Sequence, residues 1–247
     1  MKKLLLLLFV SLIFGCSNKK SEDIGDLDIH IYETYEYCDL FQQLEEINIF
    51  LKKEGNGNIK ETELTYEEWV KENPFYAVLY PNINPQTGRL NCGPIVGFCP
   101  VKDTAILNGY LKDDEIKKFL PKDVKFTYTL PYDPDSNFVQ VIALKLRKLE
   151  NNISNGYSIK EISLDSLVYG YPEITILMDE KGAKKWKKFT YENIEKSIAI
   201  VLDGYAYSFP PVVSEIENGI VHITGNFTFK NAEDIIKRIN GKKVYFF

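Results

Sequence analysis

The distribution of apolar residues predicts an α+β protein with a mainly antiparallel sheet and helices packed on one face of it. Three observations carry this expectation. Several short runs either alternate apolar and polar residues or are rich in β-branched, aromatic and aliphatic residues, as strands are, and two such runs flank the turn dipeptide Asp203-Gly204. Other stretches repeat apolar residues three and four apart, as a helix with one buried face does. The C-terminal third runs strand, helix, strands, helix, an order that suits an antiparallel sheet covered on one side.

Leu27, Ile29 and Ile31 alternate with polar neighbours and read as the first strand. Leu40, Phe41, Leu44, Ile47, Phe50 and Leu51 place a helix over Tyr37 to Glu54, ended by Gly55-Asn56-Gly57. Thr65 and Glu68 form a capping-box pair at the head of a short helix carrying Trp69. Pro81 to Pro100 is rich in Pro, Asn and Gly and reads as a long, turn-rich connection. Asp103 to Leu120 reads as one broken or two short helices closed by Pro121. Val124 to Leu130 and Phe138 to Leu146 follow as a hairpin, or at least as neighbouring strands, across the turn signals Pro131, Asp133 and Pro134.

Glu173 to Met178 is a strand, and Glu180 to Lys196 a helix burying Ala183, Trp186 and Phe189, with Ile194 a further candidate. Ile198 to Leu202 and Tyr205 to Phe209 form a hairpin, because Asp203 and Gly204 accept the positive φ of a tight turn. Asn218-Gly219 turns the chain into the strand Ile220 to Thr224. The last helix takes Thr228 as N-cap, buries Ile235, Ile236 and Ile239, and ends at Gly241.

The N-terminus carries an address. Lys2 and Lys3 precede the apolar run Leu4 to Phe14, which is shorter than the roughly 20 residues a spanning helix needs. Leu12-Ile13-Phe14-Gly15-Cys16 resembles the lipobox of bacterial lipoproteins, with Phe14 where a smaller residue is usual. Cleavage before Cys16, lipidation of that cysteine and a polar tether follow as expectations. The expected divisions are 1–15 signal peptide, 16–25 lipidated cysteine and tether, 26–138 an N-terminal α+β region, and 139–247 a second α+β domain.

Composition narrows the function classes. With 45% hydrophobic and 13% aromatic residues the chain is a globular protein. A formal charge of -5 and no dense basic stripe argue against nucleic acid as a partner. Cys38, Cys92 and Cys99 remain once Cys16 is lipidated. Cys92 and Cys99 bracket a Gly-Pro turn and are a candidate disulfide, the alternative being three buried thiols.

No catalytic or metal constellation emerges. His30 and His222 stand near opposite ends, and Cys92 and Cys99 are poorly spaced for a metal. Ser208 lacks a nucleophile elbow and an evident base. Asp203 is explained by its turn, and Asp113, Asp114 and Glu115 by a solvated first helical turn. Lys184, Lys185, Lys187 and Lys188 read as a solvated helix face with Trp186 packed inward, in preference to a contact with anionic lipid. No enzyme, cofactor, metal or small-molecule substrate is expected.

One longer pattern has a counterpart. Ile198 to Gly204, followed by Tyr207-Ser208, Glu215-Ile216, Asn218-Gly219 and Ile223-Thr224-Gly225-Asn226-Phe227-Thr228, resembles the head of the large first periplasmic region of SecD and fused SecDF protein-export subunits. Glu180 to Trp186 and Thr190 to Ile194 are similar to the stretch just upstream. Asn73 to Leu79, Gly93 to Gly97, Lys102 to Thr104 and Phe119 to Val124 extend the resemblance toward Thr65. Asn231 stands where the family often carries a Glu that completes a capping box with Thr228.

The family's proton-driven pulling is attributed to charged residues inside transmembrane helices, and no second apolar stretch of this chain is long enough to supply one. The resemblance therefore implies a SecD-like periplasmic region held at a membrane by a lipid anchor on its extracytoplasmic side. If there is an outer membrane, Ser17 after the cysteine favours it. The implied role is non-enzymatic binding of translocating polypeptide or Sec translocon components. The alternative is an envelope-interaction lipoprotein that reuses the fold without a part in export.

Overall fold

The computed structural model describes residues 29–54, 65–131, 136–146, 157–166, 170–225, 227–240 and 242–246. Expectations for the leader, Cys16, Gly55 to Gly57 and Gly241 lie outside the described residues. Eleven strands form one mixed sheet in the order β10-β7-β6-β11-β1-β8-β9-β4-β5-β3-β2. They are β1 Ile29–Thr34, β2 Tyr80–Pro81, β3 Ile95–Pro100, β4 Val124–Thr129, β5 Phe138–Lys145, β6 Tyr157–Ser166, β7 Pro172–Met178, β8 Ile198–Leu202, β9 Tyr205–Ser208, β10 Ile220–Thr224 and β11 Lys243–Phe246. Neighbours pair antiparallel except β1 with β11 and β4 with β9, which are parallel.

The middle of this sheet closes on itself. β1 pairs with β8, β8 with β9, β9 with β4, β4 with β5, and β5 returns to β1 through Glu33↔Lys145 and Thr34↔Leu144. Strand alternation then sends every second side chain into the ring, where Tyr32, Ile142, Leu144, Ala199, Val201 and Ala206 form a small core. The other faces of the same strands serve two further cores.

On one side, the outer faces of β3 and β5 pack against helix α1, Tyr37–Glu54, whose Leu40, Leu44 and Ile47 are fully buried at helical spacing. Asp39 in its first turn and Lys52 and Lys53 in its last complement the helix dipole. The short helix α2, Tyr66–Glu72, starts with Thr65 and Glu68 bonded reciprocally. Its end is tied to α1 by the Lys52–Glu72 ion pair. Buried Asn48 also accepts the Phe75 main-chain N–H at 3.1 Å. Helix α3, Thr104–Lys112, and a 3-10 turn at Ile116–Lys118 bury Leu107 and Ile116 in the same core.

On the other side, β7 and β10 share a core with helices α4, Glu180–Glu192, and α5, Phe229–Ile239. Trp186, Phe189, Ala232, Ile235 and Ile239 meet Ile174, Ile176, Val221 and Ile223 there, together with Ile29, Ile31, Ile198 and Ile200 from the outer faces of β1 and β8. Burying side chains of this size contributes about 1.5–3 kcal/mol each. The helices thus divide between two cores. The N-terminal strand β1 lies between β11 and β8, so the sheet crosses the 138/139 boundary drawn from sequence.

Candidate functional site

The ring opens at one end onto an apolar groove. Thr129 and Gln140, on inward-facing positions of β4 and β5, mark this mouth, and the Gln140 main-chain N–H donates to the Thr129 hydroxyl at 3.0 Å. Beside it lies a cavity of about 560 Å³ walled by Phe98, Leu130, Phe138, Tyr207, Phe209 and Phe227. A second cavity, of about 740 Å³, shares Leu130, Tyr207 and Phe227 with the first. It continues along α5 past Tyr171, Phe229, Asp234 and Arg238. The two make one trough floored by apolar and aromatic side chains, with polar groups at its α5 end.

Local chemistry holds the walls in place. The β8–β9 turn places Asp203 at φ 51 and Gly204 at φ 79, the left-handed pair that a two-residue hairpin needs. The Thr127 hydroxyl donates to the Gly204 carbonyl and fastens β4 to this turn. The Arg238 guanidinium donates to the Asp203 carboxylate, which pins α5 to the same turn, while its buried Nε has no hydrogen-bond partner. The Tyr207 ring lies 6.3 Å from that of Phe227, and burial pushes its phenol pKa upward. Leu130, Phe138, Tyr171 and Phe229 are exposed along the groove. An exposed row of large apolar groups marks a binding surface more readily than isolated ones do.

Other residues singled out by sequence have local partners. Asp113 accepts the main-chain N–H of Glu115 at 2.8 Å, and Asp114 and Glu115 pair with Lys117 and Lys118. Lys187 meets Glu215 and Glu217, and Lys188 meets Glu192 at 3.7 Å. Trp186 is buried and its indole N–H donates to the Ile220 carbonyl at 2.9 Å. Ile194, a candidate for burial, lies past the end of α4 and is exposed.

His222 alternates with the core-facing Val221 and Ile223, and its Nδ1 meets Glu173 at 3.1 Å and Thr175 at 3.2 Å. Ser208 is buried. Among the described residues no group of three or more His, Cys, Asp or Glu is arranged to hold a metal ion.

The disulfide expectation is corrected. Cys92 pairs with Cys38, whose Cα lies 5.2 Å away, and Cys99 is a free thiol. The physical reason is β3. Residues 95 to 100 run as an extended strand, so Cys92 and Cys99 are held apart, and Cys99 points into the α1 core. Cys92 instead lies beside the first turn of α1, where the Tyr37 N–H donates to the Gly93 carbonyl at 2.7 Å. Cys16 lies outside the described residues.

Sequence reasoning missed Leu130, Tyr207 and Phe227 as a unit. They come from three segments, and only the ring closure and the β9–β10 approach bring them together.

Residues 141–242, which include Tyr207 and Phe227, match the family model of the SecDF P1 head subdomain. The protein translocase subunit SecD of Rhodothermus marinus is 30% identical over 165 residues, covering 66% of this chain and 25% of that protein. SecD of Sebaldella termitidis is 34% identical over 83 residues, covering 34% of this chain and 20% of that protein. The chain therefore spans a quarter or less of the length of these relatives. A solved structure of SecDF, described as a membrane component that enhances protein export, is 16% identical, and the match covers 87% of this chain and 94% of that one. Its TM-score is 0.35. The family model and the SecD relatives support a SecD-like periplasmic region in this chain. No helix among the described residues is long and apolar enough to cross a membrane.

Proposed function

We propose that this chain, which carries a SecD-like periplasmic region, is a non-enzymatic binding module of protein export. It works on the extracytoplasmic side of a membrane, held there through a lipidated Cys16, and takes hold of translocating polypeptide close to the Sec machinery. The observation that carries the reading is the apolar trough joined at Leu130, Tyr207 and Phe227, because two of these residues lie within the part that matches the SecDF P1 head subdomain. An unfolded chain in transit exposes the aliphatic and aromatic side chains that folding would bury. A trough with aromatic walls takes up such groups without demanding one sequence.

The exposed disulfide supports the extracytoplasmic assignment, since such bonds persist in oxidising compartments. Division into a tether at 16–25, an N-terminal α+β region at 26–138 and a head-like domain at 139–247 is part of the same reading.

In-cell photocrosslinking from the groove tests it. A photoreactive side chain placed at Phe138 or Tyr171, both exposed, is expected to capture translocating polypeptide or a Sec component, whereas one at the exposed Ile106 on α3, which does not line the groove, is not. Capture of a single envelope protein and no Sec contact would favour the fold's reuse outside export, and no capture from either groove position would overturn the proposal.

A further inference from the structure

The two edges of the sheet differ in a way that bears on recognition. β2 ends one side, is two residues long and contains Pro81, which lacks the N–H that an incoming strand would need. β10 ends the other with Ile220-Val221-His222-Ile223-Thr224, four of them β-branched and none of them Pro or Lys. Natural edges are usually blunted by short length, Pro, Lys or a bulge, and β10 has none of these devices.

The hydrogen-bond phase of β10 shows which groups are open. The Met178 N–H donates to the Gly219 carbonyl at 3.0 Å, so Val221 and Ile223, two and four residues on, face β7 in turn. Ile220, His222 and Thr224 direct their main-chain groups the other way. Those of Ile220 are used, since its N–H donates to the Asn218 side chain at 3.2 Å and its carbonyl accepts from Trp186. Among the described residues β10 pairs with β7 alone, which leaves His222 and Thr224 with N–H and C=O groups on the open side.

Ile220, Val221, His222 and Thr224 line a cavity of about 440 Å³ together with Trp186, Ser208, Pro210 and Val212. Thr224 also borders the 560 Å³ cavity of the trough. The edge therefore runs into the groove described above.

We propose that β10 receives an extended segment of a partner polypeptide as an added strand, held by main-chain hydrogen bonds at His222 and Thr224 while its side chains enter the apolar groove. This rests on the binding reading and specifies how the groove holds its ligand. The argument for an extended polypeptide is chemical. What the edge offers is alternating donors and acceptors at strand spacing, and the complement of that pattern is another extended main chain. The main chain is also the one feature common to all sequences that an export module meets. Apolar walls select uncharged side chains, and His222 on the rim is already paired with Glu173.

The test uses the full chain with a fluorescein-labelled peptide of alternating Val and Ser, followed by anisotropy and by amide hydrogen exchange. Binding is expected to slow exchange at the His222 and Thr224 amides by at least about tenfold, with Val221 and Ile223, already bonded to β7, changing little. His222→Pro removes one open donor without removing a β7 bond, and is expected to weaken the peptide roughly tenfold at an unchanged urea midpoint. If that variant is itself destabilised, the exchange pattern of the unaltered chain decides.

Peptide binding that is insensitive to His222→Pro and leaves both amides unprotected would overturn the edge proposal and leave the groove reading standing. No peptide binding at all would count against the groove reading itself. Protection of the same amides in a peptide-free dimer, seen by sedimentation, would assign the edge to a second copy and overturn the proposal.

Discussion

Gly225 sits so close to Tyr207 that a Cβ built on it would lie 2.5 Å from the Tyr207 carbonyl oxygen and 3.2 Å from the Phe227 ring. The neighbour at issue is main chain, which cannot swing aside as a side-chain tip can. Tyr207 and Phe227 are the two residues where the cavities join, so the closest approach of β9 to the end of β10 lies at the waist of the groove.

Gly225→Ala is therefore expected to push the two segments apart. Overpacking of this kind costs typically 1–3 kcal/mol, which should appear as a lower urea midpoint with unchanged slope. Affinity for an apolar peptide should change as well, because the groove walls move. Gly88→Ala is a fitting control, since the added methyl there meets nothing within 4 Å and only the positive φ of 65° is strained. A Gly225→Ala protein with wild-type midpoint would show that the waist is softer than its geometry.

The Cys38–Cys92 disulfide closes a loop across a sequence separation of 54 and clips the first turn of α1 to the segment before β3. Constraint of the unfolded chain by such a loop contributes about 2–4 kcal/mol. Reduction, or Cys38→Ser, is expected to lower stability by that amount while leaving the α4 and α5 core in place. Alkylation gives a second readout. Both bridged cysteines are exposed and should react promptly once reduced, whereas Cys99 is buried, with its thiol pKa pushed up to about 11 chiefly by that burial. Cys99 should label only on unfolding.

These features differ in how far they could be read from sequence. α1 and α5 were legible because their buried residues keep helical spacing, and the hairpin at Asp203-Gly204 because its turn chemistry is specific. β6 was not, for a definable reason. Its register shifts between Ile159 and Glu161, so Tyr157 and Ile159 keep one phase and Ile162 and Leu164 the other, and the alternation cancels. β3 was hidden among Pro, Asn and Gly. Gly97 within it is required by contact, since a Cβ would lie 2.7 Å from both Leu79 Cδ1 and the Tyr80 carbonyl. β11 depends on the parallel neighbour β1 more than 200 positions away, which no local pattern reports. The groove was illegible on the same ground, as it exists only once the ring has closed.

Asn231 corrects the expectation attached to the start of α5. It takes the place of the usual acid in the capping box: its Oδ1 accepts the Thr228 N–H at 3.0 Å, and its own N–H donates to the Thr228 hydroxyl at 3.2 Å. Thr228→Ala is expected to cost about 1 kcal/mol. Asn231→Glu should keep the box and add a favourable charge at the helix N-terminus, a gain of about 0.3–1 kcal/mol that high salt reduces. Urea titrations at low and high salt separate the cap from the dipole effect. Equal loss in both variants would mean that Asn231 serves packing and not capping.

The tyrosines of the α1 core set a limit on the alkaline side. Tyr37 is fully buried, its hydroxyl has no hydrogen-bond partner, and burial first and the nearby Glu45 second push its pKa up to about 12. Tyr128 is pushed to about 12 as well, chiefly by burial, and Tyr76, which donates to Glu45 at 2.6 Å, is shifted upward by burial and that carboxylate. Each is neutral when protonated, so a folded pKa above the unfolded value of 10 means that the native state binds the proton more tightly. The stability this provides is complete below pH 10 and is lost as the pH rises through the folded values near 12. Unfolding between about pH 10 and pH 12 is expected, with the part of the tyrosinate absorbance that Tyr37→Phe removes rising in step with loss of tertiary signal. Tyr37→Phe removes an unpaired buried hydroxyl and should be neutral or stabilising by up to about 1 kcal/mol at neutral pH, and should move the alkaline transition upward. If the phenolate absorbance of Tyr37, read as wild type minus Tyr37→Phe, rose well before the tertiary signal fell, that hydroxyl would titrate inside the folded protein, contrary to its burial.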